Sequence, residues 1–294
     1  MALPAFLLAC FMSFVLSAHE LPLDKHLSGR SAIGFEEDGN GEGLRYLGSG
    51  WQSGQANLFA HDYDTHILYR FNSKGRTTLG EIRGREILGF GLEETGEFYL
   101  LTKRNRQFLI EKFNSRGTRI SHVSVKIQLM SDELYHIESD GKDFYLIGPN
   151  EGHRVAINGG TAKVFNGYPI IGQKDEYLNY KFHNRTLEIS FYPEQKTRKI
   201  QIPLFNAPDH VELFRRTSKG LYFMLETELD LNRNESTFFI YKVDSTRLRL
   251  NGGLYLSLPY SARTERFFWF NQQGHIYMTT LRGHEYRVWF IGQF

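Results

Sequence analysis

The sequence contains the stretch ILYRFNSKGRTTLG at residues 67–80 and a closely similar stretch, LIEKFNSRGTRISH, at residues 109–122. In each, a short run rich in apolar residues ends at Phe-Asn-Ser, a basic residue and a glycine follow, and a second run begins. This pattern is typical of two strands joined by a tight turn. The matching residues Phe71 and Phe113 are 42 positions apart. A period of this length indicates a repeat fold.

The same pattern recurs more loosely near residues 157, 191 and 243, which gives a mean spacing of about 43 residues. Four strands of ordinary length and their turns occupy about 40–50 residues, which is one blade of a β-propeller. The unit at residues 86–127 divides into predicted strands at 86–92, 97–103, 108–114 and 120–127. The repeat therefore predicts an all-β fold of four-stranded blades.

The four-strand template fits the chain six times. The second strands are predicted at residues 57–62, 97–103, 143–148, 176–182, 220–227 and 275–281. No segment carries a sustained apolar stripe of 3.6-residue period, so no long helix is expected. The sequence predicts a six-bladed β-propeller.

The sixth unit reaches Phe294 directly after its third strand. A closed propeller leaves no blade with a bare edge, because unpaired edge strands promote aggregation. The segment SAIGF, residues 31–35, has the composition of a strand and precedes the first unit. We therefore expect it to pair with the last blade and close the ring.

The N-terminus is apolar and uncharged over residues 3–18, which predicts a signal peptide at residues 1–18 and a single propeller domain at residues 19–294. Lipidation at Cys10 and a retained membrane anchor are the alternatives. Cys10 is the only cysteine, so the cleaved chain has no disulfide and no thiol chemistry. A secreted or periplasmic protein without a transmembrane segment is expected, with a bacterial envelope favoured.

The composition narrows the class of partner. Aromatic residues make up 15% of the chain and there are 28 glycines, which suits strands and tight turns. The net charge of +2 is too small to indicate a nucleic-acid partner. We expect a monomer that binds a protein, peptide or glycan.

Residues 57–75 and 98–117 carry a strand, a turn, a strand ending in Phe-Asn, and a glycine turn. They resemble the six-bladed β-propellers of the NHL-repeat and TolB-like superfamily. The resemblance implies a disc with a central channel, the first strand of each blade innermost, and a ligand-binding top face. It specifies a blade and leaves the function open.

In such a disc, the turns between second and third strands lie on the top face. The candidate binding residues there are polar or aromatic: Asp62, Tyr63, Asp64, His66, Lys103, Arg104, Arg106, His153 and His284. Basic and aromatic side chains together suit an anionic glycan or an acidic protein surface. Polar turns are equally common at surfaces that bind nothing.

The links between blades point acidic residues toward the mouth of the channel: Glu86, Glu133, Asp209 and Glu265. By resemblance of position, calcium-dependent lactonase and esterase propellers hold their metal there. Calcium needs about six to eight oxygen ligands, and acids at strand starts are also frequent without a ligand. The leading interpretation is a non-enzymatic binding protein without a cofactor. The alternatives are a calcium-dependent hydrolase and a structural component of an envelope assembly.

Overall fold

The computed structural model describes residues 44–52, 55–72, 74–131, 134–148, 151–202, 208–217, 220–227, 235–243, 250–259, 266–270, 275–282 and 285–293. All regular structure in these ranges is β-strand. They include no helix of the length and apolarity needed to cross a membrane. The predicted signal peptide at residues 1–18 and the predicted closing strand at residues 31–35 lie outside them.

The first sheet is an antiparallel meander in which each strand pairs with its neighbours in the sequence. Its strands are β1 (Leu44–Gln52), β2 (Gln55–Asp62), β3 (Ile67–Asn72) and β4 (Gly75–Glu81). In β3, three buried side chains fall among partly buried ones, and the outermost strand β4 is mostly exposed. The meander thus has an inner, apolar part and a polar outer edge, which discourages pairing with other chains.

Two further meanders follow and form one nine-stranded sheet. The second meander comprises β5 (Glu86–Leu92), β6 (Phe98–Arg104), β7 (Gln107–Phe113) and β8 (Arg119–Lys126). The third comprises β9 (Tyr135–Ser139), β10 (Asp143–Ile147), β11 (Gly152–Ala156), β12 (Gly160–Thr161) and β13 (Lys163–Phe165).

The second and third meanders are fused at both edges. Innermost strands β5 and β9 pair in parallel, with Gly89 opposite Tyr135 and Phe90 opposite His136. At the outer edge, β12 pairs in parallel with β8. The inner pairing depends on glycine, since a Cβ on Gly89 would stand 2.9 Å from the carbonyl oxygen of Tyr135. Backbones therefore approach here at a distance that side chains would prevent.

The remaining strands form three more antiparallel sheets. The fourth meander contains β14 (Tyr168–Pro169), β15 (Tyr177–His183), β16 (Thr186–Tyr192) and β17 (Lys196–Gln201). The fifth contains β18 (Pro208–Thr217), β19 (Gly220–Thr227), β20 (Glu235–Val243) and β21 (Leu250–Pro259). The last sheet contains β22 (Arg266–Phe270), β23 (His275–Arg282) and β24 (Glu285–Gln293).

The apolar core lies between successive meanders. One cluster joins the first to the second meander and includes a stack of phenylalanines, with Phe98 and Phe113 parallel at 5.0 Å between ring centroids. A second cluster joins the second to the third meander around Tyr99 and Leu146. A third lies between the fourth and fifth meanders around Ile189 and Phe223. The second meander thus buries apolar side chains on both faces, against the first meander and against the third.

The all-β prediction is confirmed, and the chain is a succession of antiparallel meanders, the unit from which β-propeller blades are built. Strands β5 and β19 have the predicted bounds, and the other predicted second strands agree within two residues. The third meander differs from the template. Its outer strand is divided into β12, which pairs with the preceding meander, and β13, which pairs with its own.

Candidate functional site

The turns between the second and third strands of the meanders form the candidate site. Within the described ranges these turns lie at residues 63–66, 105–106, 148–151 and 184–185, with residues 149 and 150 outside them. We call these turns and the adjoining strand ends the upper rim. The corresponding turns of the fifth meander and last sheet, including His284, lie outside the described part.

The first turn of the upper rim is fixed by a carboxylate. Asp62 Oδ1 accepts hydrogen bonds from the backbone N–H groups of Asp64 and Thr65, at 2.9 and 3.0 Å. Burial opposes ionisation of Asp62, but these hydrogen bonds hold its pKa below the ordinary value. His66 closes the turn in the left-handed region, with φ of 58°. The sequence Asp-Tyr-Asp-Thr-His therefore forms a rigid, Asx-type turn.

Tyr63 stands on this turn with 39% of its surface exposed. Its hydroxyl oxygen accepts a hydrogen bond of 2.7 Å from Arg45 Nη1. The same nitrogen also donates to the carbonyl oxygen of Ile87, at 3.2 Å, which ties the first meander to the start of β5. Tyr63 is therefore an exposed aromatic ring that is held in one position.

His61 lies directly beneath this turn and is fully buried. Its ring meets that of Tyr63 edge-on at 4.9 Å. Neither ring nitrogen has a hydrogen-bond partner among the described residues. Burial is the main cause that lowers the pKa of His61 to about 4; the neighbouring His66 adds to this effect and Asp62 opposes it. His61 is therefore neutral at physiological pH.

The second turn of the upper rim carries basic residues. Asn105 and Arg106 both have positive φ, at 49° and 66°. Beside them, Lys103 Nζ lies 3.7 Å from Glu86 Oε2 and 5.7 Å from the centroid of the Phe108 ring. Lys103 and Glu86 are register partners in β6 and β5, and their side chains remain 42% and 56% exposed. An exposed pair at this distance contributes little stability, so both groups stay accessible to a ligand.

His153, which the sequence places in a rim turn, is fully buried in β11 and forms part of a polar cluster. Its Nε2 lies 3.1 Å from Glu151 Oε2, and neither atom is aligned for a hydrogen bond. Glu151 Oε1 accepts hydrogen bonds from the hydroxyl of Tyr135 and, at 2.8 Å, from the backbone N–H of Met130. This cluster fixes the link between the second and third meanders.

The charge states of the cluster follow from its surroundings. Burial raises the pKa of Tyr135 to about 12, and its hydrogen bond to Glu151 adds to the effect. Burial opposes ionisation of Glu151, but hydrogen bonds from Tyr135 and Met130 hold its pKa below the ordinary value. Burial lowers the pKa of His153 despite the nearby carboxylate.

A second buried carboxylate, Glu111, lies within the second meander. Arg85 Nη1 donates to both of its oxygens, at 2.7 and 2.8 Å, and Arg119 Nη1 donates at 2.9 Å. Thr102 Oγ1 donates at 2.8 Å. The carboxylate accepts these bonds from β6, from β8 and from the link before β5, so it holds these three segments together. Because it is buried and its oxygens are occupied, it is not a candidate for ligand binding.

Of the four predicted metal ligands, Glu86 and Asp209 lie within the described part of the chain. Glu86 is exposed and faces Lys103, while Glu133 and Glu265 lie outside the described residues. Asp209 falls in β18, at a bulge where Pro208 and His210 pair with β19. Among the described residues there is no group of three or more metal-ligating side chains.

Of the predicted binding residues, the structure places Asp62, Tyr63, Asp64 and His66 on one turn, and Lys103, Arg104 and Arg106 at the next. Sequence reasoning missed Arg45, which orients Tyr63 from β1. Its only signal was a basic residue at the start of an inner strand.

Comparisons with known proteins show only distant likenesses. No protein-family model matches the sequence, and no curated protein matches it significantly. Among solved structures, the Pan2 WD40 domain of Neurospora crassa is similar with a TM-score of 0.47 and 8% identity, over 88% of this chain and 92% of that one.

Two other solved structures are similar at the same level. A DUF4221 family member from Bacteroides vulgatus has a TM-score of 0.45 and 9% identity, over 90% of this chain and 94% of that one. YCF48 from Cyanidioschyzon merolae has a TM-score of 0.43 and 6% identity, over 83% of this chain and 98% of that one. Likenesses at this level carry no argument about function.

Proposed function

We propose that the protein is an exported, non-enzymatic, six-bladed β-propeller that binds a protein, peptide or glycan through its upper rim. The blade count rests on the six successive meanders, two of which share the nine-stranded sheet. In support of a closed ring, the innermost strand of the last sheet, β22, lies beside β1 of the first meander. Strand β24 of that sheet also lies beside β2.

The closing strand is part of the same proposal. Among the described strands, β24 pairs only with β23, so the last sheet has three strands. Residues 31–35, which lie outside the described ranges, would supply the fourth by pairing with the free edge of β24. Such pairing removes an edge that would otherwise be open to other chains.

The observation that carries the binding function is the fixed exposure of Tyr63. Tyrosine and arginine are the residues most enriched at binding hot spots. Here the ring stands on a turn fixed by Asp62, and Arg45 holds its hydroxyl at 2.7 Å. A ligand that contacts Tyr63 would not have to order it first, because the free protein has already done so. The apolar, uncharged residues 3–18 support the export part of the proposal.

The test uses immobilised protein, short random peptides displayed on phage, and an array of neutral and anionic glycans. Tyr63→Ala is compared with Ile157→Ala, since both side chains are 39% exposed. Ile157 lies in the turn after β11, at the opposite end of the strands. We expect ligands that bind the parent protein and Ile157→Ala but not Tyr63→Ala. Equal binding by both variants, or no ligand in either library, would overturn the proposal.

A further inference from the structure

Two hairpins of the upper rim turn through the same dipeptide in the same conformation. Strands β6 and β7 are joined by Asn105-Arg106, and β15 and β16 by Asn184-Arg185. All four residues have positive φ, at 49° and 66° in the first turn and 47° and 61° in the second. This is the type I′ hairpin turn, which favours asparagine at the first position and glycine at the second.

Arginine is an unfavourable choice for the second position. Its Cβ crowds the following carbonyl in the left-handed region, whereas glycine adopts that conformation freely. Strain that the same residue type repeats in two corresponding exposed turns points to function, because packing does not require an arginine at either position. Arg106 and Arg185 are both exposed, and each occupies the turn between the second and third strands of its meander.

The geometry of the first of these turns connects it to Tyr63. Arg45 joins the Tyr63 hydroxyl to the carbonyl of Ile87, and the adjoining Glu86 lies 3.7 Å from Lys103. Lys103 and Arg104 end β6 immediately before Asn105-Arg106. The exposed aromatic ring and the basic turn therefore belong to one surface that spans the first and second meanders.

The chemistry of this surface selects among anionic ligands. A guanidinium group matches a carboxylate with two parallel hydrogen bonds. The same surface holds the carboxylates of Asp62, Asp64 and Glu86. A uniformly anionic polysaccharide or nucleic acid would be repelled by these groups, whereas a peptide can place its acidic residues at the arginines alone.

We propose that the upper rim binds an acidic peptide segment, with side-chain carboxylates paired to Arg106 and Arg185 and the chain resting on Tyr63. This inference deepens the proposed function and rests on it. In the proposed six-bladed ring, the turns of the second and fourth meanders both belong to the upper rim, so an extended segment that crosses this rim would contact both arginines.

The test replaces each arginine by the residue that its turn prefers. Arg106→Gly and Arg185→Gly keep the hairpin and relieve its strain, so the double variant folds and melts no lower than the parent. The matched control is Gln195→Gly, which relieves a left-handed residue with φ of 53° in the turn between β16 and β17, at the lower end. Short random peptides on phage are selected against the parent protein, and the enriched peptides are then synthesised for titration.

We expect enrichment of peptides rich in Asp and Glu, and affinity that falls as salt rises. The double variant should bind them at least about tenfold more weakly, while Gln195→Gly binds them as the parent does. Enriched peptides without acidic residues, or equal binding by the double variant, would refute the inference and leave the Tyr63-dependent binding function standing. Capture of anionic glycans in place of peptides would refute it as well. If neither library yields a ligand, the inference and the proposed function both fail.

Discussion

Gly91 of β5 packs directly against Ile137 of β9, and a Cβ on Gly91 would overlap the carbonyl oxygen of Ile137. The two residues belong to different meanders, so this contact holds the fused sheet together at its inner edge. Glycine is required here by the approach of the neighbouring backbone and not by its own φ.

Gly91→Ala should therefore force β5 and β9 apart. Overpacking of this kind costs about 1–3 kcal/mol in the free energy of unfolding, and an overlap with backbone places Gly91→Ala at the upper end of this range. The control is Gly141→Ala, where a Cβ meets nothing within 4 Å and only the left-handed backbone, φ 83°, is unfavourable. That substitution should cost about 1 kcal/mol. Denaturant unfolding measures the free energy of unfolding of both variants. A smaller loss of stability in Gly91→Ala than in Gly141→Ala would contradict the parallel pairing of β5 and β9.

The buried His61 predicts a loss of stability in mild acid. Its pKa is lowered from 6.5 in the unfolded chain to about 4 in the fold, so the unfolded state takes up the proton first. Stability is thus complete above about pH 6.5 and falls as the pH drops toward 4, by about 3 kcal/mol in total. His153, whose pKa is also lowered, acts in the same direction.

Unfolding free energies measured across this range should fall less steeply in His61→Gln than in the parent protein. The carboxylates of Asp62 and Glu151, whose pKa values are lowered, contribute their own losses only at more acidic pH. An unchanged slope in His61→Gln between pH 6.5 and 4.5 would show that His61 is not the group responsible.

Glu111→Gln should leave Arg85 and Arg119 without their shared anion. Glu111 is buried, but the Arg85 and Arg119 side chains stay 21% and 43% exposed, so the loss of these charge-assisted hydrogen bonds should cost about 1.5–3 kcal/mol. The control is Glu86→Gln, which breaks an exposed pair and should cost less than about 1 kcal/mol. Equal losses for the two variants in denaturant unfolding would place the Glu111 carboxylate in solvent, against the structure.

Deletion of residues 19–42 should destabilise the protein if residues 31–35 close the ring. The loss of an edge pairing should lower the free energy of unfolding by several kcal/mol. Deletion of residues 19–30 alone keeps the closing strand and serves as the control. Thermal melts that are the same for both truncations and for the chain from residue 19 would exclude the closure.

Calcium should leave the melting temperature unchanged, because Glu86 faces Lys103 and the proposed function needs no metal. A metal held by the folded state at one hundred times its dissociation constant adds about 2.7 kcal/mol. That corresponds to several degrees for a chain of this size. Thermal melts in EDTA and in millimolar calcium test whether the folded protein binds calcium. A rise of more than about five degrees, abolished by Glu133→Gln or Asp209→Asn, would favour the calcium-dependent hydrolase.

The strands could be predicted from sequence because their signals are local. The alternation in residues 86–92 and 220–227 and the turns that flank them gave β5 and β19 with their observed bounds. The parallel pairing of β5 with β9 could not be predicted in this way. The glycines at positions 89 and 91 are the one sequence feature that marks this pairing. Glycines inside a strand are also typical of a bulge, so they do not predict a parallel neighbour.

The site was predicted in part. Rim turns were found because Asp, Asn and Gly mark them, so the neighbours Tyr63, Lys103 and Arg106 were placed correctly on turns or strand ends. His153 was read as a turn residue, but it is buried in β11 beside the buried Glu151. Burial of a polar side chain depends on the segments that pack over it. Here the link that contains Met130 donates a hydrogen bond to Glu151, and no local sequence pattern predicts that contact.

The fused sheet has a consequence for how the molecule comes apart. Backbone hydrogen bonds join the second and third meanders at both their inner and outer edges. Neither can detach without breaking the parallel pairings that join it to the other. We expect residues 86–165 to unfold as one cooperative unit of eighty residues, which keeps its structure while the neighbouring meanders unfold one at a time. Evolutionary gain or loss of a repeat would then have to occur outside this pair.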